Sequence, residues 1–555
     1  MARTPLMGLF VRAYALTRRA DAAGRPLDEV AGEHCDAWTR RRLLRTSAAV
    51  AGAAALGACA SSGSRSDTPA IEPMGPRIAI VGAGIAGLHC AYRLHQLGIA
   101  STVYEGSSRV GGRMLSDRRT FGPQSCELGG ELIDTGHTTM LDLAKELEIP
   151  LFDFTGDDAA LATLRAHVGG RVLTEAEILE GFAPIAKAID EALATLKDPE
   201  GDITYTEPNG AEALDRMSIR AWLDSVGASG PVRRLLDVAY CTEYGLETDD
   251  SSALNLLTMI STEAEKFEVF GESDERYRAK DGNDTFVTRL HAALPGGCVA
   301  LGHRLVAVRP APDGLTRLVF KTDGGTVEVE AAHVVLAIPF TLLRDVEIAI
   351  ELPPVKTRAI RELGYGTNAK LMAGFASRVW RAQGSNGEVF TDLPFQCTWE
   401  TSRLQDGAAG IITNFVGGRH GVELGQGTAE MQRNAFLGDF DRVFPGARAA
   451  SDGRLARMHW PTNAWVRGSY SSYRAGQWTA FRGAEIERAG NLHFCGEHAS
   501  LDAQGFMEGG AETGAAAAAE VAADLGVESA ASLRTDAGRR LVDGLRRRAA
   551  LLAAR

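Results

Sequence analysis

The spacing of apolar positions changes repeatedly along the chain, and each change predicts an element. Arg77-Ile-Ala-Ile-Val81 is a short, β-branched apolar run of the kind that forms a buried strand. It enters Gly82-Ala83-Gly84-Ile85-Ala86-Gly87, after which a helical period continues to about Leu97. Ser101-Thr-Val-Tyr-Glu105 predicts a second strand. Near the other end, Asn491-Leu-His-Phe-Cys-Gly496-Glu497 reads as another buried strand, and Gly505-Phe506-Met507-Glu508-Gly509-Gly510 opens an Ala-rich helix to about Leu525. Leu363 to Phe375 is an apolar strand pattern with Lys370 inside it, where an unpartnered ammonium would be costly. Residues 159–270 are mostly amphipathic helix, with Tyr240, Glu243 and Tyr244 at their centre. The arginine-rich stretch from Ser532 to Arg555 suits either a basic helix on an anionic membrane or a solvated extension.

The strand, glycine turn, helix and second strand ending in an acid occur in the order of a dinucleotide site. One glycine makes the tight turn, one lets the backbone approach pyrophosphate, and one allows close helix packing. The helix N-terminus offers free N–H groups and a positive dipole end to phosphate. Glu105, about 20 residues on, suits a ribose hydroxyl.

Composition narrows the class. The chain has 555 residues, 45% apolar and 23% charged, enough for more than one substructure around sizeable cores. A formal net charge of −12 argues against a nucleic-acid binder and mildly suits a cationic substrate. The eight cysteines form no CxxC pair and no His–Cys cluster at ligand spacing, so no metal is expected.

Beyond these physical readings, Glu105-Gly-Ser-Ser-Arg109-Val-Gly111-Gly112-Arg113 resembles the signature of the flavin-containing amine oxidase superfamily, which includes monoamine and L-amino acid oxidases. The likeness extends over roughly residues 75–525 and is weakest over 150–275. It implies an α/β fold: a Rossmann-type FAD domain of the glutathione reductase kind with an inserted α+β substrate domain. It assigns Arg113 to pyrophosphate charge, Glu127-Leu-Gly129-Gly130-Glu131 to the loop beside the isoalloxazine, and Val306 to the strand whose backbone meets adenine. Ala332 to Pro339 resembles the strand returning to the FAD domain, and Gly496-Glu497 with Phe506 and Met507 the C-terminal FAD segment. Lys370 resembles the family lysine that holds a water at flavin N5. Trp478 and Phe506 match positions of facing substrate aromatics, and Gln477 matches the flavin-linking cysteine, implying non-covalent FAD. No arginine follows the flavin loop to clamp an amino-acid carboxylate. Glu131 could hold a distal ammonium or bond within its loop, and His137 reads as structural.

Thr39-Arg-Arg-Arg-Leu-Leu-Arg45, an apolar run from Ala48 to Ala58 and Leu56-Gly-Ala-Cys59 resemble a twin-arginine lipoprotein export signal. The run is shorter than the roughly 20 residues of a membrane span. This implies a periplasmic or cell-envelope protein anchored through lipidated Cys59; translation from Met74 would leave it cytoplasmic. The expected organisation is signal and extension (1–59), linker (60–76), FAD domain (77–135, 276–345, 466–527), substrate domain (136–275, 346–465) and basic tail (528–555). The expected reaction oxidises an amine or L-amino acid to an imine, then carbonyl compound and ammonia, with molecular oxygen reduced to peroxide. Rival readings are a dehydrogenase or desaturase feeding a quinone or cytochrome, and a catalytically silent flavin-binding partner protein. Monomer and homodimer both stay open.

Overall fold

The computed structural model describes residues 77–157, 161, 164–199, 201–259 and 273–527. The export segment, the linker, the basic tail and parts of the 159–270 stretch lie outside the described residues.

Five parallel strands form the first sheet: β1 (Ile78–Val81), β2 (Thr102–Tyr104), β3 (Val299–Ala300), β4 (His333–Leu336) and β5 (Leu492–Phe494), in spatial order β5-β4-β1-β2-β3. All four residues of β1 are buried, because both faces of the sheet are covered. Ile78 and Ile80 enter the core beneath the helices α1 (Ile85–Gln96) and α2 (Met507–Asp524). Ala79 and Val81 enter the opposite core, against the antiparallel meander Arg304–Pro310, Thr316–Thr322 and Gly325–Ala331. Strands β3, β4 and β5, distant in sequence from β1, thus return to the sheet begun at residue 78.

The second layer is a seven-stranded sheet in the order Ser451–His459, Ala369–Phe375, Gly410–Val416, Cys397–Glu400, Val389–Thr391, Arg165–Val168, Arg171–Val172. Its last two strands come from a stretch expected to be mostly helical. They pair at the edge because Val389–Thr391 offers Arg165–Val168 a parallel partner far away in sequence. The helices Glu175–Leu193 and Gly230–Tyr244 bury one face in this layer's core. The first has a reciprocal capping box: Thr174 accepts from the Glu177 N–H while the Glu177 carboxylate accepts from Thr174. Among the described residues no helix is long and apolar enough to cross a membrane.

Candidate flavin and substrate site

A continuous cavity runs from the C-terminal edge of the first sheet into the second layer. At the sheet end, the three glycines after β1 divide their work as expected. Gly82 has φ +107°, and a Cβ there would lie 2.6 Å from the Ala337 carbonyl oxygen. Gly87 lies where a Cβ would collide with the Gly82 carbonyl. A Cβ on Gly84 would meet nothing within 4 Å, because Gly84 faces the cavity. Gly84 is also the N-cap of α1 and supplies no side-chain cap, so the first-turn N–H groups remain for an anion.

Ile85, Ala86 and Gly112 extend this lining. Gly111 lies behind it with φ +108°, its N–H bonded to the Ala83 carbonyl, and so shapes the loop. Glu105 lines the cavity and accepts from the N–H groups of Ala83 and Ser107, both at 2.8 Å, which ties the acid to the glycine turn. These features make a backbone cradle of the kind that suits the pyrophosphate and ribose of a dinucleotide.

Arg113 reaches Glu497 at 2.7 Å and the Ser469 carbonyl at 3.0 Å, so its charge is shared with the C-terminal segment. Burial raises the Glu497 pKa, but the Arg113 charge with the Ser471 and Arg113 bonds outweighs it, and the net shift is downward. Gly496 and Met507 line the cavity beside Glu497. Gly130 also lines it, and a Cβ there would meet the Met507 side chain at 2.9 Å. Gly129 packs its α-carbon against the Arg113 carbonyl, where no side chain fits.

Val306 is a correction. It lies within an irregularity of the strand pairing between Leu305 and Ala307, and the cavity is lined instead by His303, Arg304 and Leu305. The resemblance places the adenine contact on the backbone of this strand, and the lining stops one residue short of Val306, at Leu305.

Lys370 sits in a fully buried strand and lines the cavity. Its ammonium donates to the Glu127 carbonyl (3.3 Å), the Gly129 carbonyl (2.9 Å) and the Glu131 carboxylate (2.8 Å). Glu131 is further held by Thr401, and Arg278 lies 3.8 Å away. Burial pushes the Glu131 pKa up, yet the Lys370 and Arg278 charges prevail and hold it low. Glu131 is therefore a paired anchor of the flavin loop. The reading in which it takes a distal substrate ammonium does not hold.

Trp478 is a second correction. It lies outside the cavity lining, donating its indole N–H to Asn255 Oδ1 at 2.7 Å and packing on Tyr473, with the Arg482 guanidinium 4.5 Å from its ring. Gln477 also turns away, bonding the backbone at Gly364, Arg474 and Glu362. From this segment Trp460, Trp465 and Tyr470 line the cavity with Phe506, Tyr470 next to Ser469, whereas Tyr473 and Trp478 do not. Aromatics at positions 465, 470, 473 and 478 look equivalent in the sequence, and no period separates them. His137 proves structural: its ring meets Phe506 edge-on at 4.9 Å and steadies it.

The inner end of the cavity is walled by Phe390, Trp399, Phe415 and Phe506 and carries the carboxylates of Glu243, Glu275 and Glu388. Glu275 adopts φ +46°, uncommon for a residue with a side chain, and its N–H is pinned by Asp134 at 2.8 Å. Burial, then the Glu388, Asp134 and Glu243 charges, pushes the Glu275 carboxyl well above its ordinary pKa. Glu275 and Glu388 went unnoticed in the sequence because each is a lone acid in a stretch without motif.

A parallel sheet with a glycine cradle at its C-terminal edge, opening into an aromatic-walled chamber, defines a dinucleotide-binding flavoprotein of the oxidoreductase type. Residues 85–522 match the family model described as flavin containing amine oxidoreductase, and the chain belongs to that family. Its cofactor is FAD, and the residues above fit it. A putative flavin-containing monoamine oxidase AofH of Mycobacterium tuberculosis is 27% identical over 477 residues, 80% of this chain and 96% of the relative. An L-amino acid dehydrogenase of Synechocystis is 25% identical, over 79% of this chain and 93% of its own length. Among solved structures, cyclohexylamine oxidase from Brevibacterium oxydans superposes with TM-score 0.70 at 23% identity, covering 81% of this chain and 99% of that one. Wild-type putrescine oxidase bound to putrescine superposes with TM-score 0.68 at 21% identity, with the same coverage.

Proposed function

We propose that the enzyme oxidises an amine bearing a second positive charge, with molecular oxygen as acceptor, giving a carbonyl compound, ammonia and hydrogen peroxide. One observation carries the choice of substrate: Glu243, Glu275 and Glu388 line the cavity close to one another, while Lys370, which lies by Trp399 in the same lining, is committed to three acceptors. A second positive charge is favoured here because it draws these crowded, buried acids toward their charged forms, whereas the carboxylate of an amino acid would add to their repulsion. FAD, when bound, supplies the two-electron acceptor for the amine α-C–H bond. Phe506 and Tyr470 orient the amine and exclude water, Lys370 fixes the Glu127–Glu131 loop and supports the oxygen step, and Glu275 receives the distal charge.

Cys397 is the one cysteine lining the cavity among the described residues. Burial and the nearby Glu275, Glu388 and Glu243 charges raise its thiol pKa and keep it protonated, which fits non-covalent FAD. Acid precipitation should leave the flavin in the supernatant; flavin retained in the pellet would contradict this.

A peroxide-coupled screen of diamines, monoamines and L-amino acids tests the main reading. Diamines are expected to have the highest kcat/KM, and Glu275→Gln should lower it about tenfold for diamines with little change for monoamines. Turnover confined to L-amino acids, or peroxide-free reduction of a quinone, would overturn it. The corrected aromatic assignment is tested separately. Tyr470→Ala should lower kcat/KM for amines about tenfold. Trp478→Ala should leave KM unchanged and instead lower the Tm by removing a packed ring. Equal KM effects from the two would sink the distinction.

A further inference from the structure

On the edge of the first sheet opposite the FAD cradle, three side chains converge from separate elements. His333 begins β4, His493 is the middle residue of β5, and Asp524 ends α2. His333 Nδ1 and His493 Nε2 are 3.4 Å apart, His333 Nδ1 and Asp524 Oδ2 3.7 Å, and His493 Nε2 and Asp524 Oδ2 3.9 Å. We propose that these three residues form a binding site for a divalent transition metal, with zinc as the best-matched ion.

The separations carry the proposal. Three ligands of a tetrahedral zinc, with bonds of about 2.0–2.1 Å, lie about 3.3–3.4 Å from one another. The observed triangle needs a closure of a few tenths of an ångström on two sides, within reach of side-chain torsions. The second shell is also present. His493 Nδ1 lies 2.8 Å from Glu520 Oε2, and with the N–H on that nitrogen the imidazole donates to the carboxylate. This fixes the tautomer that leaves the Nε2 lone pair facing His333 and Asp524, as in carboxylate–histidine–zinc arrangements. His493 is fully buried and His333 largely so, while Asp524 is partly exposed, so the site is rigid on two sides and open to solvent on the third. The ligands would be two neutral imidazoles and one carboxylate, an N₂O set suited to zinc rather than to calcium or magnesium. Its place at the C-terminal end of α2, where the helix dipole favours a cation, adds to the fit.

Arg488 competes for the same carboxylate, with Nη1 2.9 Å from both Asp524 oxygens. Metal binding must loosen that pair, so Arg488→Ala should tighten binding. Occupancy would clamp two sheet strands to the end of α2, and its effect falls on stability rather than on amine turnover.

The test uses FAD-loaded enzyme treated with EDTA, dialysed and titrated with zinc chloride by calorimetry. The expected result is one equivalent per chain, with a higher Tm at saturating zinc. His333→Ala and Asp524→Ala should abolish stoichiometric binding, Glu520→Gln should weaken it about 10–100-fold, and all three should keep normal flavin absorbance and amine turnover. His333 and Asp524 are partly exposed, so these variants fold even if a His493 variant does not. Absence of one-equivalent binding, or the same isotherm in the His333→Ala and Asp524→Ala variants, would overturn the site.

Discussion

A Gly84→Val enzyme is expected to fold as the wild type does and to emerge from purification without its flavin. Gly84 has φ −77° and ψ −176°, a conformation open to any residue, and a Cβ there meets no protein atom within 4 Å. The valine side chain would therefore enter space that the apoprotein leaves open and the pyrophosphate needs. Loss of a glycine N-cap should cost the apoprotein no more than about 1 kcal/mol, while flavin content falls by more than tenfold. Gly87→Ala should behave in the opposite way. Its methyl group collides with the Gly82 carbonyl, so the turn itself must shift, at about 1–3 kcal/mol or more. Flavin absorbance per chain, read beside thermal unfolding of both apoproteins, separates the two outcomes. A flavin-replete Gly84→Val enzyme would show that the cofactor does not approach this turn.

The second large effect is expected from Lys370→Met. The ammonium joins the strand Ala369–Phe375 to the Glu127–Glu131 loop through two carbonyls and a carboxylate, and neither charge of the Lys370–Glu131 pair is appreciably exposed. Removing one partner of such a pair costs about 3–5 kcal/mol, because the other charge stays buried. The loss should fall toward the lower figure, since Arg278 lies 3.8 Å from Glu131. Lys370→Met combined with Glu131→Gln should recover part of it, and urea unfolding of the four proteins in the cycle measures the coupling. Stopped-flow measurement of the oxygen half-reaction checks the chemical role. Unchanged oxygen kinetics in Lys370→Met would leave Lys370 as a loop anchor only.

Much of the fold was legible in the sequence because local steric rules wrote it there. The β-branched run at Ile78–Val81 needs no partner to be recognised as a buried strand. The clash of a Gly87 side chain with the Gly82 carbonyl and the open conformation of Gly84 follow from backbone geometry within six residues, whereas the closeness of Gly82 to Ala337 is tertiary. The apolar frame around Lys370 required a buried strand, and a buried ammonium required acceptors. The misreadings share one cause, which is that facing depends on partners distant in the chain. Val306 was placed by its resemblance to the family's adenine-contacting strand, and the pairing irregularity beside it depends on a neighbouring strand outside that motif. Trp478 was taken for the substrate aromatic among several similar rings, and only the packing of Asn255 and Arg482 around it shows that it faces elsewhere.

What the sequence determined by itself was therefore the nucleotide cradle and the family chemistry, since both rest on short motifs whose geometry is local. Only the tertiary structure decided what surrounds the reacting amine and what gathers at the far edge of the sheet. Glu243, Glu275 and Glu388 come from separate segments, as do His333 and His493, 160 residues apart. No spacing along the chain records such meetings, because they are made by strands and helices closing two cores.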